Sequence, residues 1–207
     1  MMYHGGRFSL KTTLLLADQI LQRVEMLHSI NFIHRDIKPE NFCIGVKDNK
    51  DLIYMIDLGL AKRYSDPRTG LHIKYQSSRA LTGTARYVSI NSHLGLEQSM
   101  RDDLESVGYL LIYFLRGNLP WQGLEAAGRS DQFKKILECK LNTPIDELCK
   151  GYPEEFEQYL KYCRNLQFEE SPDYEWMKNL FRNLYFKTNQ VWDNAWDWSY
   201  IDVRGGH

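Results

Sequence analysis

Eight consecutive residues, His34-Arg35-Asp36-Ile37-Lys38-Pro39-Glu40-Asn41, bring together side chains able to do chemistry. Asp36 offers a carboxylate that can accept a hydroxyl proton and orient its oxygen. Two residues on, the ammonium of Lys38 can neutralise charge developing on a transferring group. Asn41 supplies a neutral amide oxygen. Asp57, sixteen residues further along at the head of Asp57-Leu58-Gly59, supplies an anionic one, and both are hard ligands for a divalent cation. An acid, a cation and two oxygen ligands suit a reaction that needs positioning and charge neutralisation more than covalent help, as phosphoryl transfer does. The plainer alternatives are a surface turn acid at Asp36 and a solvated charge at Lys38.

Such residues need elements to hold them. Leu10 to Ile30 reads as a long helix, with apolar Leu14, Ala17, Ile20, Leu21, Val24, Leu27 and Ile30 near a 3.6 period and Ser9 as its N-cap. The period changes at Asn31-Phe32-Ile33 and gives way to the polar loop. Asn41–Gly45 and Leu52–Ile56 read as two short strands joined by the polar turn Val46–Asp51, a hairpin with functional loops at both ends. Residues 60–100 carry no long period, which points to a functional loop. From Asp102 the pattern is helical, and Leu104, Val107, Gly108, Leu111, Ile112 and Leu115 make it apolar on most faces and therefore buried. Ser130, Thr143-Pro144, Pro153-Glu154-Glu155 and Ser171-Pro172-Asp173 each punctuate the start of a further helix. The last has a stripe of Trp176, Met177, Leu180, Phe181, Leu184 and Tyr185. Trp192, Trp196 and Trp198 then read as an aromatic tail docked on the helical core. The expected fold is mainly α, with one small β-hairpin element carrying the reactive loops.

The first segment fits H-R-D-x-x-x-x-N, and Asp57-Leu58-Gly59 stands after a strand where protein kinases carry D-F-G. Leu81-Thr82-Gly83-Thr84-Ala85-Arg86-Tyr87 and Ser89-Ile90-Asn91, the latter where most kinases have A-P-E, narrow the resemblance to the casein kinase 1 family of Ser/Thr protein kinases. Arg101-Asp102-Asp103-Leu104-Glu105-Ser106, Leu119-Pro120-Trp121-Gln122-Gly123 and Leu148-Cys149-Lys150-Gly151-Tyr152-Pro153 are similar to that family's pattern as well. The resemblance covers about Arg7 to Trp198.

That resemblance implies a kinase-like C-terminal lobe over 10–200, a post-hinge remnant over 1–9 and a short tail over 201–207. It implies ATP and Mg²⁺ as cofactors, Asp36, Lys38 and Asn41 as catalytic residues, with Lys38 reaching the γ-phosphate, and Asn41 and Asp57 as metal ligands. His34, Gly59 and Asp103 become structural supports, with Asp103 accepting backbone N–H groups from the catalytic loop and His34 packing beneath it rather than serving as a base. The remaining histidines (His4, His28, His72, His93, His207) default to structural or surface roles. Arg35, Lys62 and Arg86 are expected to converge on an anion, supplied by an upstream phosphoserine or an acidic cluster. The implied partners are acidic or phosphate-primed protein substrates. The alternative for the same residues is that Arg35 ties loops together and Lys62 is solvated. Leu58 is expected to replace the usual phenylalanine as an apolar plug. Gly128-Arg129-Ser130-Asp131-Gln132 carries one base and one acid where the family usually has a basic run, which weakens the expectation of a second anion site and of a nuclear-targeting signal.

Composition bounds these readings. The 207 residues are 43% hydrophobic and 26% charged, enough for one sizeable core. Lys+Arg of 26 against Asp+Glu of 27 argues against a bulk nucleic-acid or membrane binder. No run of roughly 18 apolar residues is present. Met1-Met2-Tyr3-His4-Gly5-Gly6 lacks the apolar stretch of a secretory signal. Cys43, Cys139, Cys149 and Cys163 have no CxxC or zinc spacing and read as reduced, mostly buried thiols of a cytoplasmic protein, a nuclear location remaining open. Gly5-Gly6 does not make a glycine-rich phosphate loop, and neither a V-A-I-K-type lysine nor a partner glutamate helix precedes Leu10. The sequence is therefore expected to correspond to the C-lobe alone, exposing apolar surface that favours self-association. Two functions follow: a casein kinase 1-type kinase of which these residues form part, or a catalytically weak module that binds phosphorylated or acidic proteins.

Overall fold

The computed structural model describes residues 6–193 and 195–199. Residues 1–5 of the expected remnant, the 201–207 tail, His4 and His207 lie outside the described residues. In chain order the elements are α1 (Leu10–Ser29), β1 (Phe32–Ile33), β2 (Phe42–Ile44), β3 (Ile53–Met55), β4 (Lys62–Arg63), α2 (Ile90–His93), α3 (Met100–Arg116), α4 (Arg129–Asn142), α5 (Ile145–Cys149), α6 (Glu154–Asn165) and α7 (Tyr174–Lys187). The protein is mainly α, as the periodicity implies.

The core lies where α1 packs on α3 and α7, and α3 on α6. The apolar stripe of α1 (Leu14, Ala17, Ile20, Leu21, Val24) is buried against Leu104, Val107 and Leu111 of α3 and Phe181 and Tyr185 of α7. Each such large side chain contributes about 1.5–3 kcal/mol over its exposed state. Ser9 caps α1 by accepting from Thr12 N at 3.1 Å. Gly108 lets α3 approach α6, since a Cβ there would lie 2.4 Å from Leu160 Cδ2.

Several element starts differ from the pattern-based reading. α3 begins at Met100, two residues before Asp102, because the Asp102 carboxylate accepts Ser99 N at 2.8 Å and stabilises the first turn. Ser130 lies inside the first turn of α4, and Gly128 is its N-cap. Pro144 is itself the N-cap of α5 rather than its first helical residue. Asp173 caps α7 through Trp176 N at 2.8 Å, and Trp176 stays partly exposed while Met177, Phe181, Leu184 and Tyr185 are buried. Trp196 is buried, and Trp198 stacks on it and meets Phe8 at a tilt, so the aromatic tail docks at the start of α1. Trp192 lies edge-on to Tyr185.

The β2–β3 hairpin forms as expected, antiparallel with Phe42 opposite Met55 and Ile44 opposite Ile53. A second ladder joins two-residue strands β1 and β4, with Ile33 opposite Lys62. It pins both ends of the segment that carries the reactive residues.

Candidate active site

The loop after β1 is held from below by α3. Asp103, buried in the first turn of α3, accepts His34 N at 2.6 Å on Oδ2 and Arg35 N at 2.8 Å on Oδ1. His28, at the end of α1, donates to the same Oδ2 at 2.8 Å. An ionised carboxylate only accepts, so the imidazole proton sits on Nε2, and Nδ1 faces the Tyr174 hydroxyl. Burial pushes the Asp103 carboxyl up, but the His28 hydrogen bond and the two backbone N–H groups outweigh it and hold the group below its usual range. Arg35 adopts φ 67°, a left-handed conformation that the Asp103 bond sustains. His34 is fully buried. Its Nδ1 accepts Asp36 N at 3.2 Å and its Nε2 bonds Ile56 O at 3.1 Å.

These anchors present Asp36 with both carboxylate oxygens engaged. Oδ1 accepts Thr84 N at 2.9 Å and Thr84 Oγ1 at 2.7 Å. Oδ2 pairs with Lys38 Nζ at 2.6 Å. Burial opposes ionisation of Asp36, yet the hydrogen bonds from Lys38 and Thr84 bring its pKa below the usual carboxylate value. The same pair raises Lys38. Asp36 is thus ionised and oriented at neutral pH, and Lys38 remains charged beside it.

The hairpin register brings the two oxygen ligands together across the sequence. With Phe42 opposite Met55, the preceding Asn41 accepts Ile56 N at 2.9 Å on its backbone carbonyl, and Asp57 follows directly. The Asn41 side-chain nitrogen donates to Asp36 O at 2.8 Å, so its amide oxygen is the atom a cation would meet. Asp57 is exposed, at φ 59°, and its Oδ1 accepts Gly59 N at 3.3 Å. A Cβ on Gly59 would come within 3.1 Å of that oxygen, so glycine keeps the carboxylate unobstructed. An amide oxygen and a carboxylate on neighbouring strand ends fit a hard divalent cation.

The protein kinase domain model matches residues 2–184. The chain belongs to the protein kinase family. Membership implies use of ATP and a divalent cation in general.

In this kinase the basic residues are distributed differently from the expected trio. Arg35, Lys62 and Arg79 line one cavity of about 230 Å³ together with Thr82, Glu97 and Gln98. Arg86 is not in it. It lines a separate cleft with Glu40, Thr84 and Trp121, its guanidinium over the Tyr87 and Tyr113 rings. Arg79 takes the third position because the 64–79 segment folds back, its N–H bonded to Gly95 O at 2.8 Å. Glu97 already lies among these bases, bonded to Lys62 Nζ at 2.8 Å and Arg79 Nε at 2.7 Å. Burial raises Glu97, but the Lys62 and Arg79 bonds more than offset this and lower its pKa. Arg35 reaches Leu60 O at 2.7 Å, so it also ties loops together.

Leu58 is not a plug. It is 53% exposed, beside exposed Ile56 and Leu60, because nothing among the described residues packs over that rim. Thr84, Arg79 and Lys140 are site residues to which the sequence pattern assigns no role, and His28, expected to be structural or at the surface, is the structural brace of Asp103. The one signal for Lys140 was its place in α4: it stands four residues after Ile136, on the buried stripe.

Proposed function

We propose that this kinase is a Ser/Thr kinase of casein kinase 1 type that acts on acidic or phosphate-primed protein substrates. The observation that carries this reading is the cavity of Arg35, Lys62 and Arg79, which opens beside Thr82 on the segment that also holds Asp36. Three cations with charge-assisted donors suit phosphate oxygens or clustered carboxylates upstream of a target hydroxyl.

A substrate hydroxyl would be oriented by Asp36, whose Oδ1 is locked by Thr84 and whose Oδ2 stays shared with Lys38. Its lowered pKa makes Asp36 an acceptor of the hydroxyl proton late in transfer rather than a strong base, which suits a loose transition state. Lys38 would steady charge on the transferring group. Asn41 and Asp57 would hold Mg²⁺, which when bound with ATP neutralises phosphate charge. The exposed Ile56–Leu60 rim is the surface on which we place self-association.

The test is phosphate transfer from ATP to a glutamate-flanked serine peptide, with and without an upstream phosphoserine. The expectation is magnesium-dependent transfer that Asp36→Asn lowers by about 10²–10⁴ and that Arg79→Gln weakens most for the primed peptide. Peptide binding without any transfer would instead favour the binding-module function. Equal rates on acidic and basic peptides would sink the proposed specificity.

A further inference from the structure

Among the described residues Lys140 is the largest charged side chain that is fully buried, at 0% exposure in the last turn of α4. Among the described residues no carboxylate lies within ion-pair distance of it. Its ammonium instead donates to Ala85 O at 2.9 Å and Val88 O at 2.6 Å. It also lies over the rings of Tyr109, at 5.0 Å, and Trp121, at 5.2 Å. An ammonium buried without an anion is costly, and an apolar side chain of similar length would fill the same space without that cost. What distinguishes lysine here is its ability to hold two carbonyls at once.

Those carbonyls belong to the turn that bears on the reacting acid. Thr84 O accepts Tyr87 N at 2.9 Å and Val88 N at 3.1 Å, closing residues 84–88 into a tight turn. The N–H and hydroxyl of Thr84 hold Asp36 Oδ1. Two further contacts come from behind: Trp121 Nε1 donates to Arg86 O at 2.7 Å, and His93 Nε2 shares Ala85 O with Lys140, at 3.1 Å. Burial, with the nearby Lys140 charge, lowers the His93 pKa to about 4, so its ring is neutral and donates from Nε2. The outer side of the turn, with Glu40, Arg86 and Gln122, faces an open cleft of about 280 Å³. The turn therefore has a cleft-facing side and an inner side, and Lys140 is the charged anchor of the inner side.

We propose that Lys140 is a positioning residue for peptide binding, its buried ammonium fixing the Thr84–Val88 turn so that the peptide cleft and the Thr84 contact to Asp36 are set together. The proposal rests on the kinase reading only for the identity of the ligand in the cleft. The state of the ammonium adds a second handle. Burial lowers the Lys140 pKa to about 7, which Glu105 opposes and Arg164 reinforces. The groups facing it are Glu105 and Tyr109 from α3, Arg164 from α6 and His93 from α2, with the uncharged Trp121 ring. As pH rises through 7 the clamp loses its charge and weakens.

The experiment uses the whole chain and Lys140→Met, with Leu184→Ala on α7 as a variant that opens a cavity away from the turn. Amide hydrogen exchange is read by segment, and affinity is measured for a glutamate-flanked serine peptide and for Mg·ATP. Lys140→Met is expected to raise exchange over residues 84–93 while α1, α3 and α7 stay protected. It should weaken peptide affinity about tenfold, roughly the worth of one charged hydrogen bond, and change nucleotide affinity less than about twofold. Leu184→Ala should raise exchange generally and leave peptide affinity unchanged. Unchanged exchange over 84–93, unchanged peptide affinity, or a uniform loss of protection like that of Leu184→Ala would each overturn the proposal. If Lys140→Met does not fold, the unaltered protein decides: protection over 84–93, corrected for intrinsic rates, should fall as pH rises through about 7, and a flat profile would overturn the proposal. Peptide binding that depends on Lys140 without phosphate transfer would defeat the kinase-type reading and leave this one standing.

Discussion

Replacing Asp103 with asparagine tests whether α3 holds the reactive loop in place. Three donors converge on its two oxygens: His34 N at 2.6 Å, His28 Nε2 at 2.8 Å and Arg35 N at 2.8 Å. An amide keeps one acceptor. Its best pose puts the oxygen where Oδ2 was, serving His34 and His28, and turns the NH₂ group toward Arg35 N–H. One charge-assisted bond is lost outright, worth about 1.5–3 kcal/mol, and two donors are left facing each other, at about 1–3 kcal/mol more. The expected destabilisation is about 3–5 kcal/mol, the range for removing one partner of a buried charged cluster. Against a total stability of order 5–15 kcal/mol this is a large fraction. Arg35 would also relax from φ 67°, a strained state that costs about 1–3 kcal/mol and that the lost bond sustains. Asp36 is its neighbour, so a displacement of about 1 Å should lower the transfer rate about 10²-fold. Urea unfolding at pH 7, extrapolated linearly, gives the first number, and initial transfer rates at saturating ATP and peptide give the second. A loss below about 1 kcal/mol together with unchanged exchange at residues 34–36 would refute the reasoning.

Three further outcomes follow from the same contacts. Glu97→Gln removes the internal carboxylate that occupies Lys62 and Arg79, so affinity for a phosphoserine peptide should rise about tenfold by calorimetry; no gain would mean that Glu97 does not compete with the ligand. His93 is held neutral to about pH 4, whereas the unfolded chain takes up that proton near 6.5. The unfolded state therefore binds more protons in this window, and stability should fall as pH drops from 6.5 toward 4. In His93→Gln the urea midpoint should vary less over that range, and identical slopes would count against the assignment. Gly83→Ala should cost about 1–3 kcal/mol or more in thermal or urea unfolding, because the residue sits at φ 98° with room for no Cβ: one would lie 2.3 Å from Arg35 O. An unperturbed variant would show that the 82–84 segment moves freely past the reactive loop.

The residues for chemistry were legible in sequence because they are local. Asp36, Lys38 and Asn41 lie within one short loop, and the apolar period of α1 and the turn residues of the hairpin mark the elements on either side. The hairpin register then fixes Asp57 near Asn41, since antiparallel pairing with Phe42 opposite Met55 leaves little choice. The two-residue strands β1 and β4 were not legible, being too short to show a period of two. Nor was the plug role given to Leu58 sound, because exposure depends on what packs above it.

The sequence by itself determined which loop carries the acid, the cation and the oxygen ligands, and that helices surround it. Only the tertiary structure decided which distant groups complete it. Arg79 rather than Arg86 joins Arg35 and Lys62, His28 and Asp103 meet beneath the loop, and Lys140 takes the carbonyls of Ala85 and Val88. The physical reason is range. Periodicity and turn chemistry act over a few residues, whereas Lys140 and Val88 are 52 residues apart and Asp103 and His34 are 69 apart. Their meeting depends on how α1, α3 and α4 pack, and that packing is set by apolar shape, which carries no mark of the charges it brings together.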